Sequence, residues 1–160
     1  MRRERPAPST PSLLERIFAS AFVTLHLESN LRGCIGSLDS SRPLDETLID
    51  CAIAASCKDT RFPPVTAEEL SKLRLEISLL SAFEPLDDPH RIRIGIDGLM
   101  VEKSGRRGLL LPQVASHQGW DFETFLNQAC LKAGLKAGDW KSGAHVQIFA
   151  AQVFGEGDPD

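Results

Sequence analysis

Alternation of apolar and polar positions is clearest from Leu73 to Leu79. Leu73, Leu75, Ile77 and Leu79 point one way, and Arg74, Glu76 and Ser78 the other, which predicts a strand with one buried face. Phe22 to Leu27 is rich in strand-favouring side chains, and Ser29-Asn30 is a turn signal after it. Leu31 to Leu38 then reads as a second strand, antiparallel to the first. Strict alternation there places Leu31 and Ile35 on one face, with Arg32 and Cys34 on the other. Arg91 to Ile96 also alternates, and Asp97-Gly98 is a hairpin signal before Leu99-Met100-Val101. Gly105 marks a turn before Leu109 to Leu111, Pro112 ends that strand, and Val146 to Phe154 reads as a closing strand.

Helical spacing appears between these stretches. Leu13 to Phe22 is expected to form a short helix running into the first strand. Pro43 opens a helix, its fixed φ suiting the first helical position, and Asp45 and Glu46 complement the helix dipole. Leu44, Leu48, Cys51, Ala52 and Ala55 share one face of it. Phe62-Pro63-Pro64 stops it, and Thr66-Ala67-Glu68-Glu69 is a capping-box pattern that predicts a short second helix. Asp121 caps a later helix whose apolar stripe is Phe122, Phe125, Leu126, Ala129, Cys130 and Ala133, with Gly134 placed to end it. Hairpins with about three interspersed helices predict an α+β domain, not a doubly wound sheet.

The length of 160 residues fits one domain, or one domain with a small lobe. Residues 1–12 are basic and Pro-rich and read as a flexible tail, leaving 13–155 as the domain. A net charge of −4 argues against broad binding to phosphate backbones, so a nucleic-acid partner is not expected. No apolar run approaches the roughly 20 residues of a membrane span, and Arg2-Arg3 is followed by prolines where a signal's apolar core would stand. A cytoplasmic location with reduced thiols is expected. Cys34, Cys51, Cys57 and Cys130 contain no C-x-x-C pair, and no phosphate-loop motif is present, so neither a metal nor a cofactor is expected.

Five segments occur in order: Ala21-Phe22-Val23-Thr24-Leu25, Leu31-Arg32-Gly33-Cys34-Ile35-Gly36, Asp59-Thr60-Arg61-Phe62-Pro63-Pro64, Leu75 to Ser81 and Gly108 to Ala115, and a Cys130 to Leu135 segment adds weight. From about Ala21 to Phe154 the chain resembles the AMMECR domain family, and prokaryotic members resemble protein A of AmmeMemoRadiSam systems. That resemblance implies a mixed, mostly antiparallel sheet, a smaller lobe and a cleft onto which the hexapeptide faces. It supplies no established activity. It implies a Memo-like protein and a radical S-adenosylmethionine (radical SAM) enzyme as partners in a shared pathway. The family has a longer helical region before the first strand, so one wall of the cleft is expected to be thinner. It also prefers proline where Thr60 stands.

Within these segments Cys34 is the candidate for chemistry. Between two glycines on a strand it would stand beside bare backbone that a ligand can approach, and Arg32 on the same face would favour a thiolate. Arg32 and Arg61 are candidates to clamp a carboxylate or phosphate, with Asp59 orienting one of them. Gly33 and Gly36 are candidates for close ligand approach, and tight strand packing would select the same residues. Burial of Cys34 beneath the sheet and a structural ion pair at Asp59 are the competing explanations. The histidines fall outside the shared segments; His26, across the first hairpin from the hexapeptide, is the nearest candidate base. A small anionic molecule or a modified peptide is the expected ligand. A nucleotide-binding module and a non-catalytic scaffold are the alternatives.

Overall fold

The computed structural model describes residues 17–157. The expected tail and the start of the helix expected from Leu13 lie outside the described residues; from Ile17 on that stretch is not helical, Phe18 forming a bridge with Pro43 and a strand beginning at Ser20. Among the described residues three α-helices and seven strands, mostly antiparallel, make an α+β fold. The chain divides into two compact units, one from residues 1–79 and 153–160 and the other Leu80–Gln152.

In the first unit β1 (Ser20–Leu27) and β2 (Asn30–Ser37) form an antiparallel hairpin, turning at Glu28-Ser29 with Glu28 at φ 59°. The strand order is β2-β1-β3, with β3 at Leu73–Leu80, so β2 is an edge strand. Helix α1 (Leu44–Cys57) lies on the hairpin through Leu44, Thr47, Cys51 and Ala55, a buried row at helical spacing. Val23 and Leu25 meet Cys51 and Ala55 in the core, joined by Ile35, Leu73, Leu75 and Ile77. Leu73, Leu75 and Ile77 of the alternation expected for β3 therefore face this core, while Ser78, expected on the polar face, is fully buried.

The predicted helix at Thr66 is instead a turn followed by a 3-10 turn at Leu70–Lys72. Its capping signal is real: the Thr66 N–H donates to Glu69 Oε2 at 2.8 Å, and the Glu69 N–H donates to the Thr66 carbonyl. A helix does not grow from it because Glu69 is also bound by Arg32 and the chain enters β3 within four residues.

The second unit is built on β7 (His145–Gly155), β5 (Asp97–Lys103) and β6 (Arg106–Leu110), in that order, with the short β4 (Glu84–Pro85) on β7. Ser104 and Gly105, both at positive φ, make the two-residue turn of the β5–β6 hairpin. Asp97-Gly98, expected as a turn, starts β5 instead, and Arg91 to Ile96 is a 3-10 turn and loop instead of a strand. The buried Asp97 carboxylate draws the Arg93 N–H back at 2.8 Å, and the Asp97 N–H donates to the Arg93 carbonyl, which closes a tight turn over the segment. Helix α2 (Pro112–Gln118) was not foreseen; Pro112 both ends the preceding strand and opens this helix. In α3 (Phe122–Lys132) the Asp121 carboxylate accepts from the Thr124 N–H, and Phe125, Leu126, Ala129 and Cys130 are fully buried with Leu99 and Val101. Burying a side chain such as Phe125 contributes about 1.5–3 kcal/mol.

Candidate functional site

The hexapeptide occupies most of β2, and its register is interrupted. Leu25 pairs with Gly33 and His26 with Leu31, so Arg32 is an extra residue on β2, a bulge. The alternation expected from sequence therefore fails at its first step. Leu31, opposite His26, shares the Thr24 and Cys34 face instead of the Ile35 face.

Arg32 is buried and fully committed. Its Nε and Nη2 donate to Glu69 Oε1 and Oε2 at 2.8 and 3.0 Å. Nη1 and Nη2 also donate to the carbonyls of Pro63 and Pro64 at 2.9 and 3.3 Å. All three guanidinium nitrogens are spent on holding the loop after α1. The expected roles of Arg32 in clamping a ligand and in favouring a Cys34 thiolate are thus replaced by a structural one. The Arg32 hydrogen bond, followed by the Thr66 N–H, pulls the Glu69 carboxyl down to about 2.

The glycines answer to packing. The α-carbon of Gly33 faces the Ala55 carbonyl of α1 so closely that a β-carbon has no room, and the Phe22 ring lies over Gly36 in the same way. Helix and ring occupy the space in which a ligand was expected to approach.

Asp59 and Arg61 do come together at Cys34. The Asp59 carboxylate is 5% exposed and accepts four hydrogen bonds. Arg61 Nε and backbone N–H donate to Oδ1 at 2.9 and 3.1 Å. Arg61 Nη2 and the Cys34 N–H donate to Oδ2 at 2.7 and 2.9 Å. Arg61 Nη2 also lies 3.5 Å from the Cys34 carbonyl. The pair satisfies the outward N–H and C=O of an edge-strand residue much as a neighbouring strand would. The Arg61 hydrogen bonds hold the Asp59 carboxyl far below the usual carboxylate range; burial opposes this, and the Cys34 N–H assists. The Arg61 side chain is 51% exposed, and among the described residues no protein acceptor stands at its Nη1.

Cys34 is half-buried, on the sheet face opposite α1. Its Sγ lies 3.2 Å from Thr24 Oγ1, the residue opposite it in β1. His26 is further along that face, its Nε2 3.8 Å from Glu76 Oε2. The other cysteines divide. Cys51 and Cys130 are buried, and burial pushes both thiols up, as expected of packing residues. Cys57 is exposed, with its Sγ 3.0 Å from the Ile53 carbonyl.

A concave pocket of about 410 Å3 opens between the edge of β2 and α1. Of the hexapeptide only Ile35 lines it, joined by Ser37 from the same strand. Sequence reasoning passed over its α1 side, where Thr47, Asp50 and Lys58 stand at helical spacing among apolar residues. Among the described residues no cluster of three His, Cys, Asp or Glu side chains is placed to hold a metal, and no helix is long and apolar enough to cross a membrane.

Comparison with known proteins agrees with this architecture. The family model AMMECR1 matches residues 2–154. A protein of Methanothermobacter thermautotrophicus is 49% identical over 142 residues, covering 84% of this chain and 74% of its own length. A protein of Methanocaldococcus jannaschii is 45% identical over 147 residues, covering 86% and 73%. The crystal structure of an uncharacterized protein from Pyrococcus horikoshii superposes with a TM-score of 0.90 at 39% identity, covering 98% of this chain and 83% of that one.

Proposed function

The chain belongs to the AMMECR1 family, and on that premise we propose that it is a ligand-binding component of a pathway shared with a Memo-like protein and a radical SAM enzyme. Its ligand is a small anion or a modified peptide, held at the edge of β2. One observation carries this reading. A nearly buried carboxylate, Asp59, fixes the half-exposed Arg61 guanidinium bidentately at the backbone of Cys34, a residue whose thiol is half-buried. A guanidinium immobilised before binding loses little freedom when an anion arrives, and its Nη1, without a protein acceptor among the described residues, is left to donate to carboxylate or phosphate. Cys34 is the group beside which the ligand's reactive part would lie. Arg32, Gly33 and Gly36 support the site by fixing the strand and the loop.

The test is a titration of isotope-labelled protein with phosphate and with acetate, followed at the Cys34 amide and the Arg61 Nε–H. Both signals are expected to move together in the millimolar range, about −4 kcal/mol of binding. The response should disappear in Arg61→Ala and persist in Arg93→Ala. An unaltered response in Arg61→Ala would sink the reading. Co-purification with the two pathway proteins, from cells that encode all three, tests the partner assignment.

A further inference from the structure

A second site, separate from Arg61, lies on the α1 side of β2. We infer that the pocket between β2 and α1 binds a small monocarboxylate with a short hydrocarbon body.

The charge of the pocket sets the first condition. Arg42 at its rim is already neutralised, its Nη2 lying 2.8 Å from Asp50 Oδ2 and 3.3 Å from Glu46 Oε2. Lys58, the residue that ends α1, also lines the pocket and is exposed, and no described carboxylate lies within ion-pair distance of its ammonium. Among the described residues that line the pocket, Lys58 is thus a cation without a carboxylate partner, and one positive charge suits one negative charge.

The walls set the second condition. Ile35 from β2 meets Cys51, Ile53 and Ala54 from α1, a surface fit for methylene groups and not for a second charge. Ile53 is 50% exposed, an apolar side chain left in water at the pocket's lip. The volume of about 410 Å3 holds a chain of several carbons with water to spare.

Thr47 supplies the third. It is 1% exposed, lines the pocket, and its Oγ1 has no hydrogen-bond partner. A buried hydroxyl without a partner has lost its hydration without compensation. A carboxylate oxygen or its attendant water relieves that cost once the threonine side chain rotates toward the pocket.

The site is tested with hexanoate, hexanol and hexylamine titrated into the isotope-labelled full chain. Hexanoate is expected to shift the Ser37, Ala54 and Lys58 amides, with about tenfold weaker responses to hexanol, since a single charged contact is worth about 1.4 kcal/mol. Lys58→Glu should abolish the hexanoate response, and Thr47→Val should weaken it about threefold or more. Arg61→Ala should leave it unchanged, which separates this site from the β2 edge. No response below about 50 mM hexanoate, a stronger response to the amine, or unchanged binding in both Lys58→Glu and Thr47→Val each overturns the inference. Circular dichroism of each variant confirms that α1 is intact.

Discussion

Each unit of the molecule contains a buried aspartate that grips an exposed arginine, and the two clamps differ in one contact. In the second unit the Asp97 carboxylate accepts from Arg93 N, Nε and Nη2 at 2.8, 3.0 and 2.8 Å. In the first, Asp59 accepts the same three donors from Arg61, and then a fourth, the Cys34 N–H. Asp97 therefore closes only its own loop. Asp59 ties its loop to the edge strand that carries the hexapeptide, and so brings a guanidinium to a cysteine. Burial alone would raise the Asp97 carboxyl; the Arg93 hydrogen bonds outweigh it and leave the carboxyl below its ordinary value. The chemistry of the two pairs is the same, and only the neighbour supplied by the fold makes one of them a candidate site.

The largest expected effect breaks the clamps themselves. Asp59→Ala should cost about 3 kcal/mol and Asp97→Ala about 2 kcal/mol, the excess being the orphaned Cys34 N–H; both figures are reduced because the released arginines can rehydrate. Equilibrium urea unfolding measures both. An Asp97→Ala loss equal to or greater than that of Asp59→Ala would show that the fourth contact contributes nothing.

Acidification should act on both clamps and on the Arg32–Glu69 pair in one direction. Depressed carboxyl values mean stability that is complete above the unfolded values, near about 4, and lost as pH falls through the folded values. For Glu69 the window runs from there down to about 2. Unfolding midpoints should fall steadily between these limits, and Glu69→Gln should make the fall shallower. An unchanged slope in that variant would detach Arg32 from the stability of the β2 edge.

The smallest effect concerns the field at the thiol. Arg61 should speed alkylation of Cys34 by iodoacetate relative to iodoacetamide, because only the first reagent is charged. Arg61→Ala should lower that rate ratio about threefold at low salt, and Arg93→Ala should leave it alone. Mass mapping at Cys34 separates it from the exposed Cys57. Equal ratios in both variants would make the two clamps functionally alike.

Several of these features were legible in the residues. The pairing of Asp59 with Arg61 was among the expected possibilities, two residues apart and within reach of each other. The capping pattern at Thr66 and Glu69 was read correctly as a hydrogen bond and wrongly as a helix. Asp97-Gly98 misled for a related reason: the dipeptide favours a turn, but burial of the Asp97 side chain, 3% exposed, put it in a strand. Arg32 was assigned to the thiol because alternation is the default for a strand, and a bulge leaves no mark in a single sequence.

The chain by itself determined its α+β class, the apolar row Leu73, Leu75 and Ile77 of β3, the start of α1, the cap of α3 and the family to which the fold belongs, because these rest on local spacing and on ordered motifs. Which arginine is free was decided only by tertiary structure. Arg32 meets its carboxylate 37 residues away, and Asp59 meets the Cys34 N–H 25 residues away. A guanidinium binds whichever buried acceptors the folded chain brings within about 3 Å, and no local pattern records that distance.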